Sequence, residues 1–397
     1  MSLAGFIGVA LVVVALHGAS EAAEWRIEPA IGVAGEVDDN ADLVFRTDEE
    51  QEISGYVIDA SADFAYRSSL TSFSFLPRLL SRNYGDPDYD SDDQFAKLSW
   101  RREGRSTSFS IRGNYARELA RTAERVDVDF NENPDDIPVD TTGRTLVRGR
   151  RERIYITPNF SYRLSDLSSI GLVLRYTDTT YDEELAGLLD DYNDTRVNID
   201  YRRAWSERNN AILSATFREF DSKGQAPVTG YGLMAGVESR LSEKTTFRAV
   251  VGAENTELDD GVESLNPVGS ISLTRELQTI RLYAEYRRTI SGGGGGALTA
   301  RDMVNLNFTR DLNDRITAGL GVRAYTTTAL EEGVRTIDER DYVQLRATLI
   351  INLSPTMSVQ TDYRYTVLNR EQIGESANSN NIMLWLNWHP RPFTRSL

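Results

Sequence analysis

The sequence predicts an all-β protein, a transmembrane antiparallel up-and-down β-barrel of about 18 strands, with about 16 as the alternative count. Three observations predict it: apolar and polar residues alternate along most of the chain, the connections sort into short and long, and an export leader comes first. Arg196-Val197-Asn198-Ile199-Asp200-Tyr201-Arg202 shows the alternation, with Val197, Ile199 and Tyr201 on one face of a strand and the charged side chains on the other. The pattern recurs in Ala211, Leu213, Ala215 and Phe217, in Val343, Leu345, Ala347 and Leu349, and in Ile382, Leu384, Leu386 and Trp388.

Strands of this kind begin near Trp25, Ile53, Thr71, Gln94, Thr107, Arg153, Ser168, Thr195, Asn210, Tyr231, Thr246, Pro267, Thr279, Met303, Arg315, Tyr342, Met357 and Asn381. Tight turns such as Glu103-Gly104-Arg105 and Ser242-Glu243-Lys244 alternate with polar connections over 38–52, 83–93, 118–151, 181–194, 221–229, 255–264, 289–302, 327–340 and 367–380. Short turns on one rim and long loops on the other mark an outer-membrane barrel; a soluble sandwich or propeller would not sort them this way. Aromatic residues near strand ends, among them Trp25, Tyr66, Tyr115, Tyr162, Tyr176, Tyr201, Phe220, Tyr286, Tyr325, Tyr365 and Trp388, are placed as a girdle at the lipid boundary.

Residues 1–23 read as a signal peptide: the uncharged run Leu3–Leu16 precedes the small residues Gly18 to Ala23 and falls short of the ~20 residues of a spanning helix. Residues 24–397 then form the barrel, placed in the outer membrane of a Gram-negative bacterium with lipid and lipopolysaccharide around it. The chain has no Cys and two His, which removes disulfides, thiolate metal sites and most histidine chemistry. No catalytic residues, cofactor, metal site or nucleic-acid partner are therefore expected. Asp86, Asp88 and Asp90 alternate like a calcium loop but lack its Gly turn and distal Glu. Gly292 to Gly296 reads as flexibility without chemistry.

Three stretches resemble the β-barrel porin type 2 family: Glu36-Val37-Asp38-Asp39-Asn40, the run from Asp88 to Phe95, and Arg150-Arg151-Glu152-Arg153 leading into Pro158 to Ser165. The resemblance implies an outer-membrane barrel associated with exopolysaccharide or capsule export, working with periplasmic polysaccharide-export proteins. One departure is that many outer-membrane barrels end on an aromatic residue in the last strand, whereas this chain continues past Trp388 to Leu397.

Cargo has to be read from the inward face. Basic residues number 44, of which only Lys97, Lys223 and Lys244 are lysines, in a chain of net charge -16. Alternation points Arg112, Arg175, Arg196, Arg202, Arg218, Arg248, Arg281, Arg287, Arg323, Arg346 and Arg364 into the lumen, with Asp59, Asp63, Asp200, Glu254, Glu285 and Asp362. Guanidinium forks bind carboxylates and sulfates at two points, so this lining suits an anionic polymer; wall-stiffening charge ladders are the alternative. The connection 118–151 is either a constriction folded into the bore or a disordered surface loop. The expected function is export of an anionic exopolysaccharide, with a small-solute diffusion porin or a structural or adhesive surface protein as alternatives.

Overall fold

A computed structural model describes residues 23–45, 50–125, 128, 130, 140–142, 149–182, 185, 188–223, 225–257, 263–330, 340–370 and 375–396. The expected signal peptide lies outside the described residues, apart from Ala23.

The strands are β1 (Glu24–Asp38), β2 (Ile53–Arg67), β3 (Thr71–Asn83), β4 (Ser91–Glu103), β5 (Thr107–Leu119), β6 (Arg150–Ser165), β7 (Ser168–Tyr181), β8 (Tyr192–Ala204), β9 (Asn209–Ser222), β10 (Val228–Ser242), β11 (Thr245–Glu257), β12 (Glu263–Glu276), β13 (Ile280–Gly292), β14 (Leu298–Asn313), β15 (Ile316–Ala329), β16 (Arg340–Ser354), β17 (Met357–Arg370) and β18 (Glu375–Trp388). One short helix, α1 (Ala120–Ala123), follows β5. Each strand pairs antiparallel with the next, and β1 closes the barrel on β18 through Ile31↔Trp388 to Asp38↔Asn381. A lipid-facing backbone has no water to bond, so only such closure satisfies every strand.

The tail beyond Trp388 belongs to the wall. After His389-Pro390-Arg391-Pro392, a four-residue strand β19 (Phe393–Ser396) pairs with the start of β1, Ile27↔Phe393 to Glu24↔Ser396. The seam is thus one strand path with a proline bulge.

Alternation sets the two faces. Leu233, Val251, Leu320, Ile382, Leu384 and Leu386 are exposed on the outside, whereas Ser214, Arg323, Gln344 and Asp362 on neighbouring inward positions are buried. Tyr162, Tyr176, Tyr201, Tyr286, Tyr365 and Trp388 keep outward, exposed places suited to an interfacial girdle. Phe220 and Tyr325 do not: both turn inward and are buried, Phe220 with Tyr192 and Ile290, Tyr325 with Met303 and Tyr342. Their parity on β9 and β15 matches Arg218 and Arg323, which a girdle reading based on chain position overlooks. Tyr115 is buried with Phe73, Leu98 and Ile154.

Connections on one rim, 68–70 to 355–356, span two to four residues. The opposite rim carries 39–52, 84–90, 120–149, 182–191 and 330–339, but the connections expected at 221–229, 255–264, 289–302 and 367–380 shrink to 223–227, 258–262, 293–297 and 371–374. Hydrogen-bonded ladders continue beyond the apolar band and absorb residues that composition alone assigns to loops.

Four prolines lie within strands, and each marks a break in pairing with one neighbour. Pro29 faces the seam bulge, Leu76-Pro77 is skipped on the β2 side, Thr157-Pro158 is skipped on the β7 side, and Pro267 lies beyond the last β12–β13 pair. Proline has no N–H to give the ladder, so it is tolerated where one partner is absent.

Leu384→Arg, which puts a guanidinium on the lipid face of β18, is expected to destabilise the barrel by about 2–4 kcal/mol if the site lies near the bilayer midplane. Equilibrium urea unfolding in vesicles checks this; a loss below about 0.5 kcal/mol would show that this face does not meet hydrocarbon.

Candidate functional site

The lumen divides into an open half and a filled half. The open half, against β4 to β13, holds a cavity of about 740 Å³. Arg112, Arg175, Arg196, Arg202, Arg248 and Arg287 line it, joined by Arg101 and Arg288. Four acids, Asp200, Glu238, Glu254 and Glu285, share the lining, which therefore carries eight arginines against four carboxylates. Serine, threonine and asparagine fill most places between them, including Ser110, Asn159, Asn198 and Thr216.

These guanidiniums differ in how far they are already satisfied. Arg196 donates to Asp194 and to the Ile290 carbonyl, 3.3 and 2.9 Å away, and Arg287 is 2.8 Å from Glu285. Among the described residues, the side chains of Arg202 and Arg248 make no hydrogen bond or ion pair. Arg175 packs over the Tyr155 ring and keeps an unbonded, buried Nε.

The other arginines expected in the lumen sit in the wall network. Arg218 is fully buried and grips Asp194 with two bonds of 2.9 Å. Arg323 donates to Asn305 over 2.8 Å, Arg281 to Thr309 over 3.1 Å, and Arg346 to Asp362 through two bonds of 2.9 and 2.8 Å. Arg364 lies opposite Arg346 in the β16–β17 ladder. The acids follow suit, with Asp59 paired to Arg78 and Asp63 accepting from Ser74.

The filled half is occupied by the connections themselves. Leu43, with φ 52, is buried against Met303, Tyr325, Tyr342 and Leu368 on β14 to β17. At its described residues the connection between β5 and β6 also turns inward. The Val128 N–H donates to Gln344 over 2.8 Å, its carbonyl accepts from Arg346, and Phe130 packs on Arg346. Gly321 makes this possible, because a Cβ there would collide with Val128.

Buried carboxylates tie these segments to the mouth. Glu124, just after α1, accepts from Arg151, Tyr181 and Thr142. Asp140 accepts from Tyr192 at 2.7 Å and pairs with Arg153 at 2.8 Å. Burial pushes the Asp140 carboxyl up, but Arg153, Arg151 and the Tyr192 hydroxyl together outweigh it and hold the group below its ordinary 3.8. Arg125 adds bonds to the Asn40 and Ala41 carbonyls, and Arg121 pairs with Asp42 while covering the Tyr89 ring.

The glycine run is the largest revision of the sequence reading. Instead of a slack loop, Gly292, Gly293 and Gly294 form a close-packed tip: a Cβ at these positions would strike the Phe220 ring, the Asp140 carbonyl and the Tyr181 hydroxyl. Asp190 N–H donates to the Gly294 carbonyl over 2.8 Å. The tip thus crosses to segments that follow β5, β7 and β9. In the Asp86 turn the Asp86 carboxylate accepts from Asp88 N–H and its carbonyl from the Tyr89 and Asp90 N–H groups.

Sequence reasoning missed Arg101, which shares the inward parity of Lys97 and Ser99, and the Glu124 and Asp140 anchors, which lie in a connection without periodicity. It also missed Arg288, which shares the parity of the outward Tyr286 and so had no signal in the alternation.

No family model matches the chain, and no curated protein matches it. Among solved structures it is similar to Acinetobacter baumannii OccAB4 (TM-score 0.48, 10% identity, 94% of this chain and 98% of that one). It is also similar to Pseudomonas aeruginosa OccK2 (OpdF), solved in complex with glucuronate (TM-score 0.46, 9% identity, 92% and 98%), and to a BenF-like porin from Pseudomonas fluorescens Pf-5 (TM-score 0.46, 10% identity, 92% and 99%).

The Asp140 contacts give a pH test with a defined sign. A carboxyl held low in the folded state stabilises fully above pH 3.8 and loses that contribution as pH falls below it, through the lowered folded value. Single-channel conductance in planar bilayers is expected to rise only below pH 3.8, and Asp140→Asn is expected to show the raised level at all pH values. A parent channel whose conductance stays flat on acidification would dispose of this anchor.

Proposed function

We propose that the protein is an outer-membrane porin through which small anionic solutes diffuse. One observation carries the reading: a polar cavity of about 740 Å³ is lined by eight arginines, of which Arg202 and Arg248 have no side-chain carboxylate partner among the described residues. A carboxylate entering it exchanges water for guanidinium donors, and Arg202 and Arg248 offer stations on β8 and β11. Many exchangeable contacts favour passage over capture.

Export of an exopolysaccharide, which the family resemblance implies, needs a bore that admits a continuous chain. The inward positions of Leu43, Val128 and Phe130 and the tip at Gly292–Gly294 favour small solutes instead. Outer-membrane placement is supported by the closed ladder and the apolar outer face.

Reversal potentials in planar bilayers with a KCl gradient test the reading. The parent channel is expected to prefer chloride to potassium, and Arg202→Glu with Arg248→Glu is expected to shift that preference towards the cation by at least about fivefold. Arg323→Gln, in the wall network, is expected to change selectivity far less. Cation preference in the parent channel would overturn the proposal.

A further inference from the structure

The wall has an opening between β12 and β13. Their ladder runs from Glu276↔Arg281 to Gly269↔Arg288 and stops there. Both strands continue: β12 stays paired with β11 from Val268↔Gly252 to Glu263↔Glu257, and β13 stays paired with β14 from Thr289↔Arg301 to Gly292↔Leu298. The ladders at Pro77 and Pro158 resume beyond the proline, whereas at Pro267 pairing does not return. The reason lies in the β13–β14 tip, which leaves the wall for the mouth. Arg196 bonds the Ile290 carbonyl, and Ile290 is buried with Phe220 and Tyr192 of β9 and β8, four and five strands away around the barrel.

Two further observations place the lumen cavity at this opening. Val268, Gly269 and Ser270 on β12 and Arg287, Arg288 and Thr289 on β13 all line it. Arg288 also belongs by parity with Tyr286, which is exposed on the outer face, and it pairs with Asp302 at 2.7 Å, to which Tyr286 also donates. One guanidinium thus touches the cavity and an outward ion pair, and its buried Nε has no hydrogen-bond partner.

The opening joins unlike surroundings. Its upper margin is apolar, with Val268 packed towards Ile290 and Leu265, at 72% exposure, facing outward; its lower margin carries Arg287 and Arg288. We infer that the gap between β12 and β13 is a lateral site for a single-chain anionic amphiphile, a long-chain carboxylate whose head group sits at Arg288 in the lumen while its tail passes over Val268 into the outer leaflet. The site rests on the reading of the cavity as an anion path and adds a second exit, sideways into the membrane.

The absence of native Cys allows single labels. Val268→Cys, Leu265→Cys and Ser272→Cys barrels, each labelled with bimane, are reconstituted in phosphatidylcholine vesicles with brominated acyl chains. Leu265 reports the outer face and Ser272, on the paired part of the same strand, the lumen. The label at 268 is expected to be quenched at least half as strongly as the label at 265; quenching no greater than at 272 would mean a closed wall and overturn the opening. Palmitate is expected to relieve quenching at 268 where butyrate does not, and Arg288→Gln to weaken that effect about tenfold. Palmitate without effect, or with equal effect in Arg288→Gln, would overturn the amphiphile site. Acetate flux through the same vesicles separates the two readings: quenching at 268 without acetate flux supports the opening and refutes the diffusion porin, whereas flux without quenching does the reverse.

Discussion

Everything in this protein depends on closing the backbone ladder. Strands that face hydrocarbon must bond every N–H and C=O to a neighbour, so the chain has to return its last strand to its first, as β18 and β19 do along β1. That requirement fixes which strand residues face outward and lets the outer face be apolar without a helix. It also explains the placement of proline. Pro29, Pro77, Pro158 and Pro267 each sit where a neighbour on one side is displaced, so the missing donor leaves no partner waiting. Three of these breaks heal within the strand. The fourth coincides with a hairpin that has left the wall, and there the barrel gives up closure locally in exchange for a crossing over its mouth.

The same hairpin links the glycine run to the charge network. Gly292 to Gly294 are needed because the tip approaches Phe220, Asp140 and Tyr181 more closely than any side chain allows. Asp140 and Tyr181 hold the β5–β6 connection through Arg153 and Glu124, and Phe220 packs on Tyr192, which donates to Asp140. Inserted segments and tip therefore depend on common anchors. Removing one partner from a buried carboxylate–guanidinium pair leaves an unpaired buried charge, which is why such a mouth holds its shape despite being built from connections.

Strand parity was legible in the sequence because a period of two is imposed by the wall itself. Sixteen of the 18 strand starts fall within four residues of those read from alternation and the other two within six, and Arg112, Arg175, Arg196, Arg202, Arg248 and Arg287 line the cavity. Strand length was not legible, since ladders extend past the lipid band into polar sequence, as in β14 from Leu298. Nor was the interior of the mouth. Leu43, Glu124, Val128 and Asp140 lie in stretches without period, and their contacts come from strands far away in sequence. Phe220 and Tyr325 were misplaced for a related reason: an aromatic near a strand end serves the membrane boundary or the lumen according to one residue of register.

Arginine in such a lumen can stiffen the wall or hold a solute, and the two roles separate by local partner geometry. Arg218 and Arg346 have a carboxylate within bidentate reach on an adjoining strand, so their donors are largely spent. A guanidinium already bonded in this way offers a passing anion little beyond its net field, and that field is cancelled by its partner. Arg202 and Arg248 have no such bond among the described residues and border a polar cavity lined by hydroxyls and amides. Donors without a protein partner in a polar cavity are hydrated, and a carboxylate can replace that water at small cost. The acidic excess of the whole chain does not oppose this, because charges separated by more than about 8 Å of salt water are largely screened, whereas those inside one narrow cavity act on the solute together. The cationic character of the cavity therefore follows from which arginines were left without a carboxylate, and the arginine count by itself would not have revealed it.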